Sequence, residues 1–486
     1  MADFSEAIPA DVRALDTLPG PRSWPIVGNA LQIRPEQFHT QLEGWAKQYG
    51  DPFTFRIASR RFLVTASPEI VGSVLRKRPD GFRRTQRLEQ ASREFGFLGL
   101  FSANGDDWRR QRPMVLAGLD PGHIKSFFPA MVDITERLRK RWVRAAADGT
   151  VIDLQADLMR YTVDVTTASA FGENINTLEK TQQEGIQQHL NVVMPNLFKR
   201  ILAPVHLPRW MRATEEKELQ AHLAHLREAV SGFIANTRKL LAEQPQLRDR
   251  PANLIQALVA ARDREGSGLT DMDVSGNVLT MLLAGEDTTA NTLAWMIWLL
   301  HRNPAAAAAA RAEVESVLGA EPGINDIGQL ARLDVVDACT NETMRLKPVA
   351  PFIFNEALQD TVVNNVLVPK GDLVVCLLRP GGLDPRSFPD PAAFDPARWN
   401  SAAPDAPPSM HSAKRLTMPF GAGPRMCPGR YLALAEIKMV AAMLLANFDF
   451  DVAVTGGGEP KEKISIVMAP AGLTMQLRNR GRTKSL

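Results

Sequence analysis

The chain is poor in cysteine. Its 486 residues hold three, Cys339, Cys376 and Cys427, with no CxxC pair, so neither a disulfide framework nor a thiolate zinc site is supported. That scarcity points to a reducing compartment, and the expected location is cytoplasmic. Net charge is only +3, too small to argue for nucleic acid, and arginines are not interleaved with aromatics. The first residues, Met1-Ala2-Asp3-Phe4-Ser5-Glu6, lack the basic and apolar regions of a secretory signal. No stretch reaches the roughly eighteen uninterrupted apolar residues of a membrane span, so a soluble protein with no membrane anchor is expected. Internal repeats and long linkers are missing too. Length alone allows one large domain or two or three average ones.

What is present is ordinary in bulk. An apolar fraction of 45% and a charged fraction of 23% suit a soluble globule. A chain of this length buries roughly three quarters of its surface, ample to enclose a cofactor. Helical patterns dominate. Short strands are expected at 53–57 and 62–65 around a polar turn, with a few more near the C-terminus. Residues 18–29 are proline-stiffened and not helical.

One cysteine stands apart from the other two. It lies in Pro419-Phe420-Gly421-Ala422-Gly423-Pro424-Arg425-Met426-Cys427-Pro428-Gly429, whose glycines and prolines forbid regular structure and force a preset loop. Residues 431–448 read as a helix, so the thiol meets the positive end of a dipole, with Arg425 beside it. Both favour thiolate. Such a thiolate can serve as nucleophile, disulfide partner or metal ligand. No histidine lies in the loop to act as a base. A single thiolate on the iron of a heme remains, an arrangement that directs electron density towards O–O cleavage.

Other segments carry chemistry as well. Thr270 with Asp273 forms a capping-box-like start, and the run to His301 is unbroken until Pro304, about thirty residues or roughly 45 Å of helix. In its middle, Ala284-Gly285-Glu286-Asp287-Thr288-Thr289 sets a carboxylate and alcohols where they are expensive unless used. Asp287 and Thr288 suit a proton relay; the plainer reading is threonines back-bonding to their own helix. Asp106 can cap a helix on which Trp108 and Arg112 share a face. An indole N–H and a guanidinium there suit a carboxylate. Arg109, Arg110 and the basic run at 137–144 read as solvated faces. Glu342 and Arg345, three apart, share another helical face.

The order Phe-x-x-Gly-x-Arg-x-Cys-x-Gly closely resembles the heme-binding signature of the cytochrome P-450 superfamily. Residues 284–289, the Trp108–Arg112 pair, Glu342-x-x-Arg345 and Phe394-Asp395-Pro396-Ala397-Arg398-Trp399 resemble further family motifs, in family order. The resemblance runs from Leu18 to about Arg478. It implies a mainly α, single-domain cytochrome P-450 fold with a minor β region, heme lying between the long helix and the cysteine loop. Residues 1–17 are then an N-terminal extension, 18–478 the heme domain and 479–486 a tail.

The resemblance also assigns roles. Heme b (iron protoporphyrin IX) is the implied cofactor, with Cys427 as its axial ligand. Trp108, Arg112 and Arg425 hold propionates, and Phe420 packs beside the sulfur. Gly421, Gly429, Ala284 and Gly285 belong to the cofactor-binding set. Asp287 and Thr288 manage protons. Glu342, Arg345 and Arg398 form a structural charge network. The implied activity is insertion of one oxygen atom from O2 into an apolar organic substrate by hydroxylation, epoxidation or dealkylation. Electrons come from a separate ferredoxin or flavodoxin type partner, docked on Lys414, Arg415, Arg430 and Lys438. Substrate contacts are expected at 82–101, in a lid at 192–208, near Ala284, at 349–352 and at 468–472. A hydrogen-peroxide-driven peroxygenase is disfavoured by the Asp287–Thr288 pair. A non-catalytic heme sensor is disfavoured because no effector domain accompanies the fold. Two departures stand out. Asn355 occupies a place where many members carry a propionate arginine, leaving that arm to Arg425 and Arg112 or to a water bridge. Residues 379–384 replace the usual short polar approach.

Overall fold

A computed structural model of the chain describes residues 12–179, 186–202, 213–399 and 410–481. Residues 1–11 of the expected extension at 1–17, residues 482–486 of the expected tail at 479–486 and residues 203–208 of the expected lid lie outside the described residues.

Alternation builds the first sheet. Along β1 (Phe53–Ile57), Phe53, Phe55 and Ile57 are buried and the residues between them are not, the period-2 pattern of a half-covered strand. It pairs antiparallel with β2 (Arg60–Thr65). α1 (Pro68–Arg76) starts on a proline at its first turn and leads to the short β3 (Phe82–Arg83). β4 (Phe352–Ala357) and β5 (Leu373–Leu377) complete a five-stranded sheet in the order β1-β2-β5-β4-β3. Only the β2–β5 pair is parallel. The sheet forms its own small core of Phe38, Phe55, Phe62 and Val375.

Helices make the rest. α2 (Gly105–Ala117), α3 (Pro121–Asp148) and α4 (Leu154–Thr166) come first. α5 (Ile186–Leu202) and the 31-residue α6 (Ala213–Glu243) follow. α7 (Asp271–Arg302) is 32 residues long, about 48 Å. Both halves of its capping box form between Thr270 and Asp273, and Pro304 opens the next helix instead of continuing this one. Its second half is buried nearly all round, which marks a helix running through a core rather than over it. α7 packs against α4, and at Gly285 the two backbones come so close that an added Cβ would collide with the Thr166 side chain. α8 (Asp334–Leu346) and α9 (Arg430–Asn447) pack on α7 as well, and a hairpin of β6 (Phe448–Val454) and β7 (Leu473–Asn479) follows α9.

Two local expectations are corrected. Asp106 does not cap α2: Asn104 is the N-cap, and Asp106 pairs with Arg109 in the first turn. The Asn104 side chain makes no cap bond either, because it holds the Arg84 backbone and Glu89. The run at 137–144 is not a solvated face throughout. Arg139 is buried and Arg141 pairs with buried Asp157 at 2.9 Å, since α3 is covered by α4 and α9. Residues 379–382 form a short helical turn in which Arg379 is buried and paired with Glu43 at 2.7 Å and Glu462 at 2.8 Å.

Candidate heme site

The cysteine loop and the long helix share a cavity of about 380 Å³. The loop contributes Phe420, Gly421, Arg425, Cys427 and Gly429; α7 contributes Ala284, Gly285, Asp287 and Thr288; α2 contributes Trp108 and Arg112. All eleven residues singled out above for cofactor or proton chemistry therefore border one space. Other walls are apolar: Phe97, Leu100 and Phe101, then Met194 and Leu197 from α5, then Val349, Ala350 and Phe352. The expected stretch 468–472 is not among them. Ile466 and Val467 line the cavity in its place, while Met468 is buried against Arg379.

Backbone geometry fixes the loop. Cys427 N–H donates to Phe420 O at 2.9 Å. Gly423 has φ +71°, and a Cβ there would lie 2.7 Å from the Cα of Arg76, so glycine lets the loop rest on the end of α1. Arg112 donates to Met426 O at 2.6 Å and ties the loop to α2. The Cys427 side chain is accessible from the cavity that it lines. Burial nonetheless pushes its thiol above the ordinary value, against the pull of the Gly429 N–H, Arg112 and Arg430. The loop by itself thus does not favour thiolate, contrary to expectation, because desolvation outweighs the helix end and the cations. Arg425 gives no help: its guanidinium is spent on Ala103 O and Asn104 Oδ1. Iron held by Cys427 would supply the missing charge, since a coordinating thiol is held as thiolate.

Does a heme fit? Four guanidiniums answer. Arg78, Arg84, Arg112 and Arg425 all line the cavity, and none has an ion pair with Asp or Glu among the described residues. Arg425 lies 5.0 Å from the Trp108 ring and Arg112 lies 6.0 Å from it. Burial lowers Arg78 to about 10, and burial with Arg78 and Arg112 alongside lowers Arg425 to about 9. Arg84 is held well below its ordinary value by burial and by the neighbouring Arg78 and Arg425. Arg78 donates to Leu75 O and Ala422 O, but its Nη1 is buried with no partner. Clustered, desolvated cations of this kind are costly without anions. Two propionates meet that need, so the residues present fit heme b.

Arg78 and Arg84 were missed by sequence reasoning, and they bear on Asn355. That residue is fully buried in the sheet, with its amide on Ile353 O at 3.2 Å and Cys376 Sγ at 3.5 Å. It does not line the cavity. Arg78→Met is expected to speed heme loss roughly ten- to hundredfold, the worth of one charge-assisted hydrogen bond at about 1.5–3 kcal/mol. Heme transfer to apomyoglobin measures it. An unchanged rate removes Arg78 from the anion site.

Proton-handling groups lie along α7. Thr288 Oγ1 donates to Ala284 O at 2.8 Å, so the plainer back-bonding reading holds and leaves its lone pairs to face the cavity. Asp287 is pushed up to about 6 by burial alone. A second acid was missed: Glu436 on α9 lines the cavity, is raised to about 8 by burial, and accepts from Thr289. A carboxylate inside 432–445, a run otherwise apolar apart from Lys438, is the signal that marks it. Because its folded value exceeds its ordinary 4.5, its contribution to stability is full below about pH 4 and is lost as pH rises through 8. Thermal melts of the holoprotein are therefore expected to weaken from pH 5 to 8, and Glu436→Gln to flatten that slope. An equal slope in the variant assigns the titration elsewhere.

Glu342, Arg345 and Arg398 meet outside the cavity. Glu342 and Arg345 are fully buried with Nη2–Oε1 at 2.7 Å, and Arg398 Nε lies 3.4 Å from the same carboxylate. Arg345 also donates to Gly382 O, Pro391 O and Ala393 O, and Trp399 donates to Glu342 at 2.8 Å.

The same architecture recurs among known proteins. The chain is 26% identical over 446 residues to abscisic acid 8'-hydroxylase of Solanum lycopersicum, covering 90% of this chain and 87% of that one. It is 23% identical to the chloroplastic protein LUTEIN DEFICIENT 5 of Arabidopsis thaliana, covering 88% and 71%. The crystal structure of the cytochrome P450DA heme domain superposes with a TM-score of 0.83 at 24% identity, covering 98% of this chain and all of that one, a likeness of fold. The family model described as Cytochrome P450 matches residues 18–477, and the chain belongs to that family of heme-binding monooxygenases.

Proposed function

We propose that this monooxygenase acts on an apolar organic molecule held against the cofactor by Phe97, Leu100, Val349 and Phe352. The observation that carries this reading is the cavity bordered at once by Cys427, four guanidiniums with no carboxylate partner among the described residues, the Asp287–Thr288 pair and apolar walls. Heme, when bound there, supplies the oxygen-activating chemistry. The chain's own part is to hold the cofactor through Cys427 and the arginines, to exclude water with apolar walls, and to keep a proton near Thr288. Asp287, with its value near 6, holds or releases that proton close to neutral pH.

Electrons are proposed to come from a separate ferredoxin or flavodoxin. Lys414 and Arg415, exposed just ahead of the cysteine loop, suit an acidic partner. Lys438 does not: it is tied to Asp337 at 3.1 Å and to Leu330 O. Arg430 lies against Met426 and Tyr431. Free cysteines, two of them buried, support a reducing, cytoplasmic location.

The test is turnover of apolar compounds with NAD(P)H and redox proteins against turnover with hydrogen peroxide. Oxygen-dependent product is expected to dominate. Asp287→Asn should divert reducing equivalents into free peroxide, and charge reversal at Lys414 and Arg415 should slow reduction without shifting substrate affinity. Faster turnover with peroxide alone supports the peroxygenase instead.

A further inference from the structure

Three of the chain's eight histidines meet where α5 packs on α6. Along α6, Leu219, Leu223, Leu226 and Val230 recur at helical spacing and are buried, and Leu190 and Val193 of α5 are buried with them in the same core. His222 and His225, three apart, share an adjoining face of α6. His189 reaches both from α5. Its Nδ1 lies 2.9 Å from Nδ1 of His222, and its ring stacks on that of His225 with centroids 4.6 Å apart. His189 and His222 are half-buried and His225 is exposed. The two facing nitrogens are thus carried on packed helices yet stay within reach of solvent.

Two imidazole nitrogens facing each other have two uses. By themselves they share one proton in a hydrogen bond; a metal ion takes both lone pairs. Burial and the other two histidines hold His189 below its ordinary value, which leaves its ring neutral at pH 7. Charged groups further along the two helices are committed to one another: Arg200 pairs with Glu216 and Glu94, and Gln220 donates to the same Glu216 at 3.0 Å. The spacing selects the ion. With metal–imidazole bonds of roughly 2.0–2.1 Å, nitrogens 2.9 Å apart subtend about 90° at the metal, whereas tetrahedral zinc needs them about 3.3 Å apart. A right-angled bite belongs to the square-planar or tetragonal geometry of Cu2+ and Ni2+.

We infer that His189 and His222 form a site for one divalent cation of tetragonal preference, nickel or copper, bridging α5 and α6. No group of three His, Cys, Asp or Glu among the described residues is arranged to hold a metal ion, so this site has two protein ligands and takes water in its other positions. His225 stacks beside the pair and is not a ligand. The bridge joins side chains 33 residues apart across two helices. Because α5 also supplies Met194 and Leu197 to the heme cavity, a metal there holds one cavity wall against α6. The site uses none of the residues assigned to oxygenase chemistry.

Equilibrium dialysis of the heme-loaded full chain, carrying no histidine tag, against Ni2+ tests it, with bound nickel and heme iron counted separately by elemental analysis. One Ni2+ per chain is expected, together with a rise in melting temperature, since the ion binds the folded helix pair and not the separated ligands. Zn2+ should bind more weakly than Ni2+. His189→Gln and His222→Gln should each weaken nickel binding at least roughly tenfold, with the metal-free melting temperature and heme spectrum unchanged. His225→Ala, which removes a neighbouring ring and no ligand, should lose less than either. The inference is overturned if wild type retains no nickel, if either glutamine variant binds it as tightly as wild type, or if Zn2+ binds more tightly than Ni2+.

Discussion

Cys427→Ser is expected to cut oxygenase turnover by three orders of magnitude or more, about 4 kcal/mol of barrier, and to remove the thiolate-type band of the ferrous carbonyl complex. The reason lies in what else the cavity offers. Cys427 is the one cysteine that lines it. Cys339 and Cys376 are buried elsewhere, with thiols pushed up to about 12, chiefly by burial, so neither can take over. A serine hydroxyl is far more basic when deprotonated than a thiol, and burial already works against the anion at this position. Fold stability should change little, because the side chain faces the cavity and the loop is held by the Cys427 N–H to Phe420 O bond and by Arg112 on Met426 O. Far-ultraviolet circular dichroism and heme content separate loss of chemistry from loss of fold. Full turnover in the variant takes Cys427 out of the site.

The parts legible in the sequence are those whose chemistry is local. Glycine and proline around Cys427 dictate a loop whatever surrounds it, and the Thr270–Asp273 capping box starts a helix on its own terms. The arginines were harder, because burial is decided at long range. Arg78 follows Arg76 and Lys77 and reads as part of a solvated basic run. Only the approach of Ala422, 344 residues away, turns it inward. Glu436 was visible in principle, as an acid within an apolar stretch, yet its partner Thr289 sits on another helix. Gly285 shows the opposite error. Its missing side chain looks like room for a cofactor, but the structure spends much of that room on Thr166. A residue type states which chemistry is available there; the contacts that use it come from the packing of helices distant in sequence.

Glu342→Gln is expected to destabilise the chain by about 3–5 kcal/mol and to leave little heme-loaded protein. Glu342 is fully buried and serves four hydrogen bonds at once: two from Arg345 at 2.7 Å, one from Trp399 at 2.8 Å and one from the Asp395 N–H at 2.9 Å. An amide in its place turns a donor towards those donors and strands the Arg345 charge, the case in which a buried ion pair is costly to break. The damage should reach the cofactor. Arg345 holds the carbonyls of Gly382, Pro391 and Ala393, and Trp399 packs with Phe388 and Ala413, only six residues before Pro419 opens the cysteine loop. Arg398→Gln gives the graded control. Its Nε lies 3.4 Å from Glu342 and 3.7 Å from the exposed side of Asp395, so the loss should be nearer 1 kcal/mol, at about the worth of a weak ion pair. Equal losses in the two variants, read by thermal melts and heme content, mean that Glu342 is no more the anchor of the network than Arg398 is.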